Sequence, residues 1–192
     1  MSNLALKPEE KYTYADSKTW SEDERWEIID GVVYNMGAAP MRVHQKISRN
    51  LLVKISVYLE NKTCEVYDAP FDVRFVDNAE QKDFEIENVV QPDLVVVCDP
   101  KKLDDYGCKG SPDVIIEILS KNTTKIDKIK KFDLYEKYKV KEYWIVSPDT
   151  EMIEIYTINN GQYGRPQIFV KEDKIEVKLL GDLVIDLNDI FK

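Results

Sequence analysis

The 192-residue sequence predicts an α/β or α+β fold, a mixed β-sheet flanked by helices. Three observations predict it. Two runs, Leu94-Val-Val-Val-Cys98 and Val114-Ile-Ile-Glu-Ile-Leu119, are apolar enough to read as strands buried on both faces. Apolar residues at Val43, Ile47, Leu51, Ile55 and Leu59 repeat every four positions, the mark of an amphipathic helix against a core. The elements follow one another as helix, strands, helix, strands, which suits a sheet with helices packed on it.

Along the chain, residues 14–24 predict a short helix in acidic surroundings. Trp26–Asp30, Gly31 and Val32–Met36 predict a hairpin turning at Asp30-Gly31, a dipeptide that accepts positive φ. The helix of the four-residue ladder runs from Val43 to about Glu60. Strands follow at Cys64–Asp68 and Phe71–Val76, the second alternating apolar residues with Asp72 and Arg74. The acidic stretch 77–88 predicts a solvent-facing loop. Strands 90–98 and 113–119 flank a connection from Pro100 to Pro112. Thr123 or Thr124 would cap a helix running to about Lys139, docked by Ile126, Ile129, Phe132, Tyr135 and Tyr138. Further strands are predicted at Glu142–Val146, Met152–Ile158, Gln162–Val170 and Ile175–Leu180, leaving 183–192 unassigned.

The length suits one domain spanning 1–192. With 43% hydrophobic and 33% charged residues, the composition is that of a globular protein. No run approaches the ~20 apolar residues of a membrane span, and the N-terminal MSNLALKPEEKY lacks a secretory pattern, so the chain reads as cytoplasmic with no membrane partner. Cys64, Cys98 and Cys108 form no close pair in sequence. With a single histidine, zinc is a poor fit, and reduced thiols packed as small hydrophobes are expected. The net charge of −9 argues against a broad nucleic-acid-coating surface. Residues 121–141 nevertheless carry eight lysines against Asp127, Asp133 and Glu136. That stripe could meet phosphates or could be a solvated helix face.

Chemistry points to two carboxylates. Asp93 follows Pro92 at the head of one buried run, and Glu117 lies inside the other. A charge placed there is costly unless it is paired or bound to a metal. Two carboxylates on neighbouring strands are what Mg²⁺ or Mn²⁺ needs from a protein, waters and substrate oxygens completing the shell. Asp127, Lys131 and Tyr135 are spaced i, i+4, i+8 on the following helix, which a short connection returns to the Glu117 strand. Lys131 could therefore reach the carboxylates and offset charge on a transferring phosphoryl group. Each residue also has a structural reading. Asp93 could accept hydrogen bonds from a turn, Glu117 could pair with a core-facing lysine, and Lys131 could be one wet lysine among eight.

A Pro-Asp, an acidic residue on the next strand and a nearby lysine resemble the signature of the PD-(D/E)xK phosphodiesterases, the restriction-endonuclease-like fold. Several segments resemble the Uma family of bacterial endonucleases: Trp26-Glu-Ile-Ile-Asp-Gly-Val-Val-Tyr34, the lone His44, Val90-Gln-Pro-Asp-Leu-Val-Val-Val97, Gly110–Ser120, Asp127–Lys131–Tyr135 and Val140–Pro148. The resemblance covers residues 12–158. It implies a nuclease-like mixed sheet with an N-terminal hairpin and extra C-terminal strands, and Mg²⁺-dependent DNA hydrolysis. Asp93, Glu117 and the Ile118 carbonyl would hold the metal, Lys131 would serve as the catalytic lysine, and Glu27 would add an acidic group at the edge of the site. The lysine usual in PD-(D/E)xK enzymes two positions beyond the second carboxylate is absent, Leu119 standing there; the resemblance implies that in the Uma family it has moved to the next helix, the position that Lys131 matches. Gln91 could bind a coordinated water, and His44, with an ordinary pKa near 6.5, could shuttle protons, contact phosphate or merely cap its helix. Nuclease-like domains often pair to cut two strands, so a homodimer is expected, although no interface is visible in the sequence.

Two rival readings come from other classes. The displaced lysine and acidic charge suit a nuclease-fold module that binds or assembles without catalysis. A Cys-His hydrolase finds no second histidine and no suitable spacing.

Overall fold

The computed structural model describes residues 10–21, 25–36, 40–120 and 126–192, the side chain of Ile126 excepted. In chain order these form α1 (Tyr14–Ser17), β1 (Trp26–Ile29), β2 (Val32–Asn35), α2 (Arg42–Leu59), β3 (Glu65–Asp68), β4 (Val73–Arg74), β5 (Val89–Val90), β6 (Leu94–Val97), β7 (Leu103–Asp104), β8 (Gly107–Lys109) and β9 (Val114–Ile118). A wide π-type turn, Ile126–Lys131, leads into α3 (Phe132–Lys137). Strands β10 (Glu142–Ser147), β11 (Met152–Asn159), β12 (Gln162–Tyr163), β13 (Gln167–Val170), β14 (Lys174–Val177) and β15 (Leu183–Asp186) precede α4 (Leu187–Ile190).

The strands make two mixed sheets and a ribbon. The larger sheet runs β12-β11-β10-β9-β6-β3, with β13 also on β11; the smaller runs β2-β1-β5-β4-β8-β7; β14 pairs with β15. Strand β10 lies parallel to β9, and β6 antiparallel to it. Period-2 alternation then sorts the side chains. Leu94, Val96, Val114, Ile116 and Ile118 pack with Ile47, Leu51 and Ile55 of α2 and with the β14–β15 ribbon. Val95, Val97, Ile115, Tyr143 and Ile145 pack on the other face with Leu134, Tyr135 and the smaller sheet. Both faces are covered, which is why β6 is apolar throughout and β9 is apolar apart from Glu117.

The predicted hairpin forms: Asp30 and Gly31 take φ of 51° and 79°, and Asn88 Oδ1 accepts the Asp30 amide at 2.8 Å. The ladder helix also forms, although Val43 in its first turn is exposed. Other expectations need correction. The 14–24 helix is a single turn, and 22–24 lie outside the described residues. The predicted strand 90–98 is two strands in different sheets, β5 and β6, with the chain changing sheets at Gln91-Pro92-Asp93. Proline has no N–H for a ladder. Strand Phe71–Val76 shrinks to β4, in which Arg74 is buried rather than wet, bonded to Asp104 and under the Tyr14 ring.

The acidic loop 77–88 is not wholly solvent-facing, since Ile86 and Asn88 are buried. The 100–112 connection contains the β7–β8 hairpin. Strand 162–170 is broken into β12 and β13, and the unassigned tail supplies β15 and α4. Ile129 is exposed, because the wide turn shifts the helical phase assumed from a 3.6-residue repeat. Thr123 and Thr124 lie outside the described residues. Cys64 and Cys98, expected as reduced thiols, are disulfide-bonded across β3 and β6; strand pairing brings together what 34 residues separate in sequence. Cys108 is free and buried. Among the described residues no helix is long and apolar enough to cross a membrane.

Candidate active site

The corner at which the chain leaves the smaller sheet for the larger one positions Asp93. Leu94 pairs with Ile116 in the β6–β9 register, so one residue back Asp93 stands opposite Glu117. Its Oδ2 accepts the Ile118 amide at 2.7 Å and lies 3.1 Å from His44 Nε2. His44 reaches it from the first turns of α2. The Asp93 side chain keeps 22% exposure, and no hydrogen bond engages its Oδ1 among the described residues.

Glu117 alternates with Ile116 and Ile118 and so points to the opposite face, toward α3. There it is buried and accepts two hydrogen bonds at Oε1, from Lys131 Nζ at 2.9 Å and the Tyr135 hydroxyl at 2.8 Å. Lys131 Nζ also lies 2.8 Å from Glu27 Oε1 and 3.6 Å from Asp127 Oδ1. Glu27 is anchored from β1 by the Gln91 backbone N–H at 2.9 Å. Tyr143 steadies the wide turn by donating to the Asp127 carbonyl at 3.0 Å.

One ammonium thus faces three buried carboxylates. Burial alone would lower the Lys131 pKa, but Glu117, Glu27 and Asp127 override it and hold the amine charged, well above its ordinary value. Burial pushes the Glu117 carboxyl well up; Lys131 opposes that shift, and Asp127, Asp93 and Glu27 add to it. For His44, burial acts downward, but the Asp93 carboxylate and Ile118 carbonyl prevail, leaving its pKa raised. Its Nδ1 is buried with no partner.

This donor set fits a hard divalent cation. Asp93, Glu117 and the Ile118 carbonyl offer oxygen only, and the site carries more carboxylate than cationic charge. No three His, Cys, Asp or Glu side chains among the described residues converge closely enough to cage an ion. The protein would therefore supply two carboxylates and a carbonyl, leaving the other positions to water and substrate.

The structure brings Asp93, Glu117, Lys131, Glu27, Asp127, Ile118 and His44 into one neighbourhood. Gln91 is present differently from the expectation. Its side chain accepts from Arg25 at 2.9 Å and donates to Asp72 at 2.8 Å, so only its backbone serves Glu117's neighbour Glu27. Tyr135, read as core packing, does pack, but its hydroxyl also fixes Glu117. The i, i+4 spacing from Lys131 was the available signal. The lysine stripe is largely consumed: Lys131 is buried, Lys128 pairs with Glu154 at 2.7 Å, Lys137 with Asp30 at 3.7 Å and Lys141 with Asp113 at 2.6 Å. Lys139 donates to the Gly161 carbonyl at 2.6 Å, and Lys121 and Lys125 lie outside the described residues. The Cys-His alternative loses its nucleophile, since burial pushes the Cys108 thiol up to about 12.

The fold defines a restriction-endonuclease-like chain. It belongs to the Uma2 family, described as "Putative restriction endonuclease", which matches residues 12–188. The chain is 26% identical over 177 residues to the uncharacterized protein slr1290 of Synechocystis, covering 92% of this chain and 86% of that one. It superposes with a TM-score of 0.73 on the crystal structure of a "putative nuclease belonging to DUF820" from Anabaena variabilis, at 16% identity over 93% of this chain and 97% of the other. That likeness establishes a shared fold.

Proposed function

We propose that the protein is a metal-dependent phosphodiesterase that hydrolyses DNA, with Asp93, Glu117 and the Ile118 carbonyl holding Mg²⁺ or Mn²⁺. The observation that carries the proposal is the position of Lys131: from a separate helix its Nζ lies 2.9 Å from Glu117 and 2.8 Å from Glu27. Lys131 would thereby take the part of a lysine two residues beyond the second carboxylate. When bound, the ion supplies charge neutralisation at the scissile phosphate and acidifies water beside it.

The chain's own residues divide the remaining work. Asp93, fixed at Oδ2 by the Ile118 amide, has no hydrogen bond at Oδ1 among the described residues and would use that oxygen for the ion. Lys131 stays protonated and offsets negative charge that grows on the phosphoryl oxygens. Glu27, Asp127 and Tyr135 hold Lys131 and Glu117 in register, and His44 donates toward Asp93. Two such sites would cut both strands of a duplex together, so a homodimer belongs to the same proposal.

The test is a cleavage panel of duplex, single-stranded, branched and supercoiled DNA, plus RNA, with Mg²⁺ or Mn²⁺. Strand scission is expected on DNA, and Asp93→Asn should lower its rate by a factor on the order of 10² to 10³. Cleavage that survives Asp93→Asn, or none on any DNA form, refutes the proposal. A second reading, a nuclease-fold module that binds without cutting, is favoured by one observation: two donors already occupy Glu117 Oε1. Calorimetric titration with Mg²⁺ and Mn²⁺ separates them, because an active site gives heat that Glu117→Gln abolishes.

A further inference from the structure

Outside the carboxylate network, α2 carries a group of cations that the chemistry above leaves unused. At 100° per residue, Arg42, Lys46 and Arg49 fall within about 60° of one another on the side of α2 opposite Ile47, Leu51 and Ile55. None makes an ion pair with a described residue; Arg49 donates only to the neutral Asn50, at 3.1 Å. Arg42 and Lys46 also line a cleft of about 150 Å³ against Pro148, Glu151 and Phe191. The Glu151 carboxylate in its wall is offset by Lys171 at 2.7 Å. Between Arg42 and Lys46 in sequence stands His44, which touches Asp93 from the inner side of the same turn. A chain of −9 net charge thus keeps three uncompensated cations on the helix that reaches its carboxylate site, while most described lysines of 121–141 are tied up in local contacts.

We propose that Arg42, Lys46 and Arg49 form the phosphate-binding track of this protein, the surface that grips the DNA backbone beside the carboxylate site. The assignment rests on the DNA-hydrolase reading for its ligand and moves the contact from residues 121–141 to α2. A phosphate seated in the cleft meets the Arg42 guanidinium and Lys46 ammonium together. Arg49, a turn further along, meets a neighbouring phosphate of the same strand. Such contacts position the duplex without reading its sequence.

The experiment measures binding of a short labelled DNA duplex by fluorescence anisotropy across a salt series, in EDTA so that no strand is cut. Each phosphate neutralised contributes a slope of about −0.9 in log K against log salt. The triple variant Arg42→Gln/Lys46→Gln/Arg49→Gln should therefore lose about 2.7 from the magnitude of that slope and at least about tenfold in affinity at low salt. Lys101→Gln, an exposed lysine elsewhere, serves as a charge control that should leave both nearly unchanged. Thermal melting establishes that the triple variant is folded, and single substitutions, each expected to remove about one-third of the slope change, give the same answer if it is not. An unchanged slope in the triple variant overturns the assignment, as does a wild-type protein that binds no duplex. The outcomes also separate it from the catalytic proposal. Track-dependent binding without cleavage leaves the track standing and removes the nuclease, whereas cleavage with track-independent binding does the reverse.

Discussion

Replacing Lys131 by Met keeps most of the side-chain volume and deletes its charge. In the folded protein Lys131 is 3% exposed and faces Glu27 at 2.8 Å, Glu117 at 2.9 Å and Asp127 at 3.6 Å. Removing one partner of a buried ionic group leaves the others uncompensated, at a cost of about 3 to 5 kcal/mol. For a chain of this size that is a fall in Tm of about 6 to 20 °C. The cost should also depend on pH. The Glu117 carboxyl already titrates above its ordinary value, and losing Lys131, which opposes that shift, raises it further. A carboxyl whose pKa is higher folded than unfolded favours the folded state below the unfolded pKa, and that advantage disappears as pH rises through the folded value. The deficit of Lys131→Met relative to wild type should therefore be largest in alkaline buffer and shrink on acidification, as the pocket takes up a proton. Urea denaturation in EDTA at several pH values measures it directly. Adding Glu117→Gln to Lys131→Met should recover part of the loss in alkaline buffer. A deficit below about 1 kcal/mol, the range of exposed pairs, or one that is flat with pH would show that the four groups do not form the buried network described.

Three further outcomes follow from other contacts. Tyr135→Phe removes a buried donor to Glu117 and should cost about 1 to 3 kcal/mol in chemical denaturation, with a larger effect on metal affinity than Tyr163→Phe, whose hydroxyl bonds only the Val140 carbonyl. Opening the Cys64–Cys98 link with a reductant should lower stability by about 3 to 4 kcal/mol for a loop of 34 residues, seen as a lower Tm with dithiothreitol than without; Cys64→Ser should melt alike in both. Burial would raise the Asp104 carboxyl, but Arg74 overrides it and holds the carboxyl below its ordinary pKa. Its contribution is present above the unfolded pKa and is lost as pH falls through the folded one, so Asp104→Asn should lower the urea midpoint near neutrality and lose its effect in strong acid.

Much of the site was legible because strand burial and charge conflict. A carboxylate within Val114–Leu119 has to be answered by something, and the spacing Asp127–Lys131–Tyr135 supplied the answer one helix later. The apolar ladder of α2 and the Asp30-Gly31 turn were equally readable, since both depend on local periodicity and backbone preference. Glu27 was visible only through family resemblance: its strand says nothing about where β1 docks, and that depends on β5 pairing across more than 50 residues. The sheet change at Pro92 is not legible from the apolar pattern, because Val89-Val90 and Leu94–Cys98 flank Gln91-Pro92-Asp93 so closely that two buried strands look like one. The wide turn at Ile126–Lys131 was missed because a 3.6-residue phase cannot reveal a local unwinding. Arg42, Lys46 and Arg49 stand out only in the structure, where most of the described 121–141 lysines are engaged in local contacts.

Lys131 is tethered by its destination. Carboxylates from β1, β9 and its own turn hold the ammonium, so its location does not depend on which segment of backbone delivers it. Leu119, where a strand-borne lysine would stand, is thereby left to pack against the core.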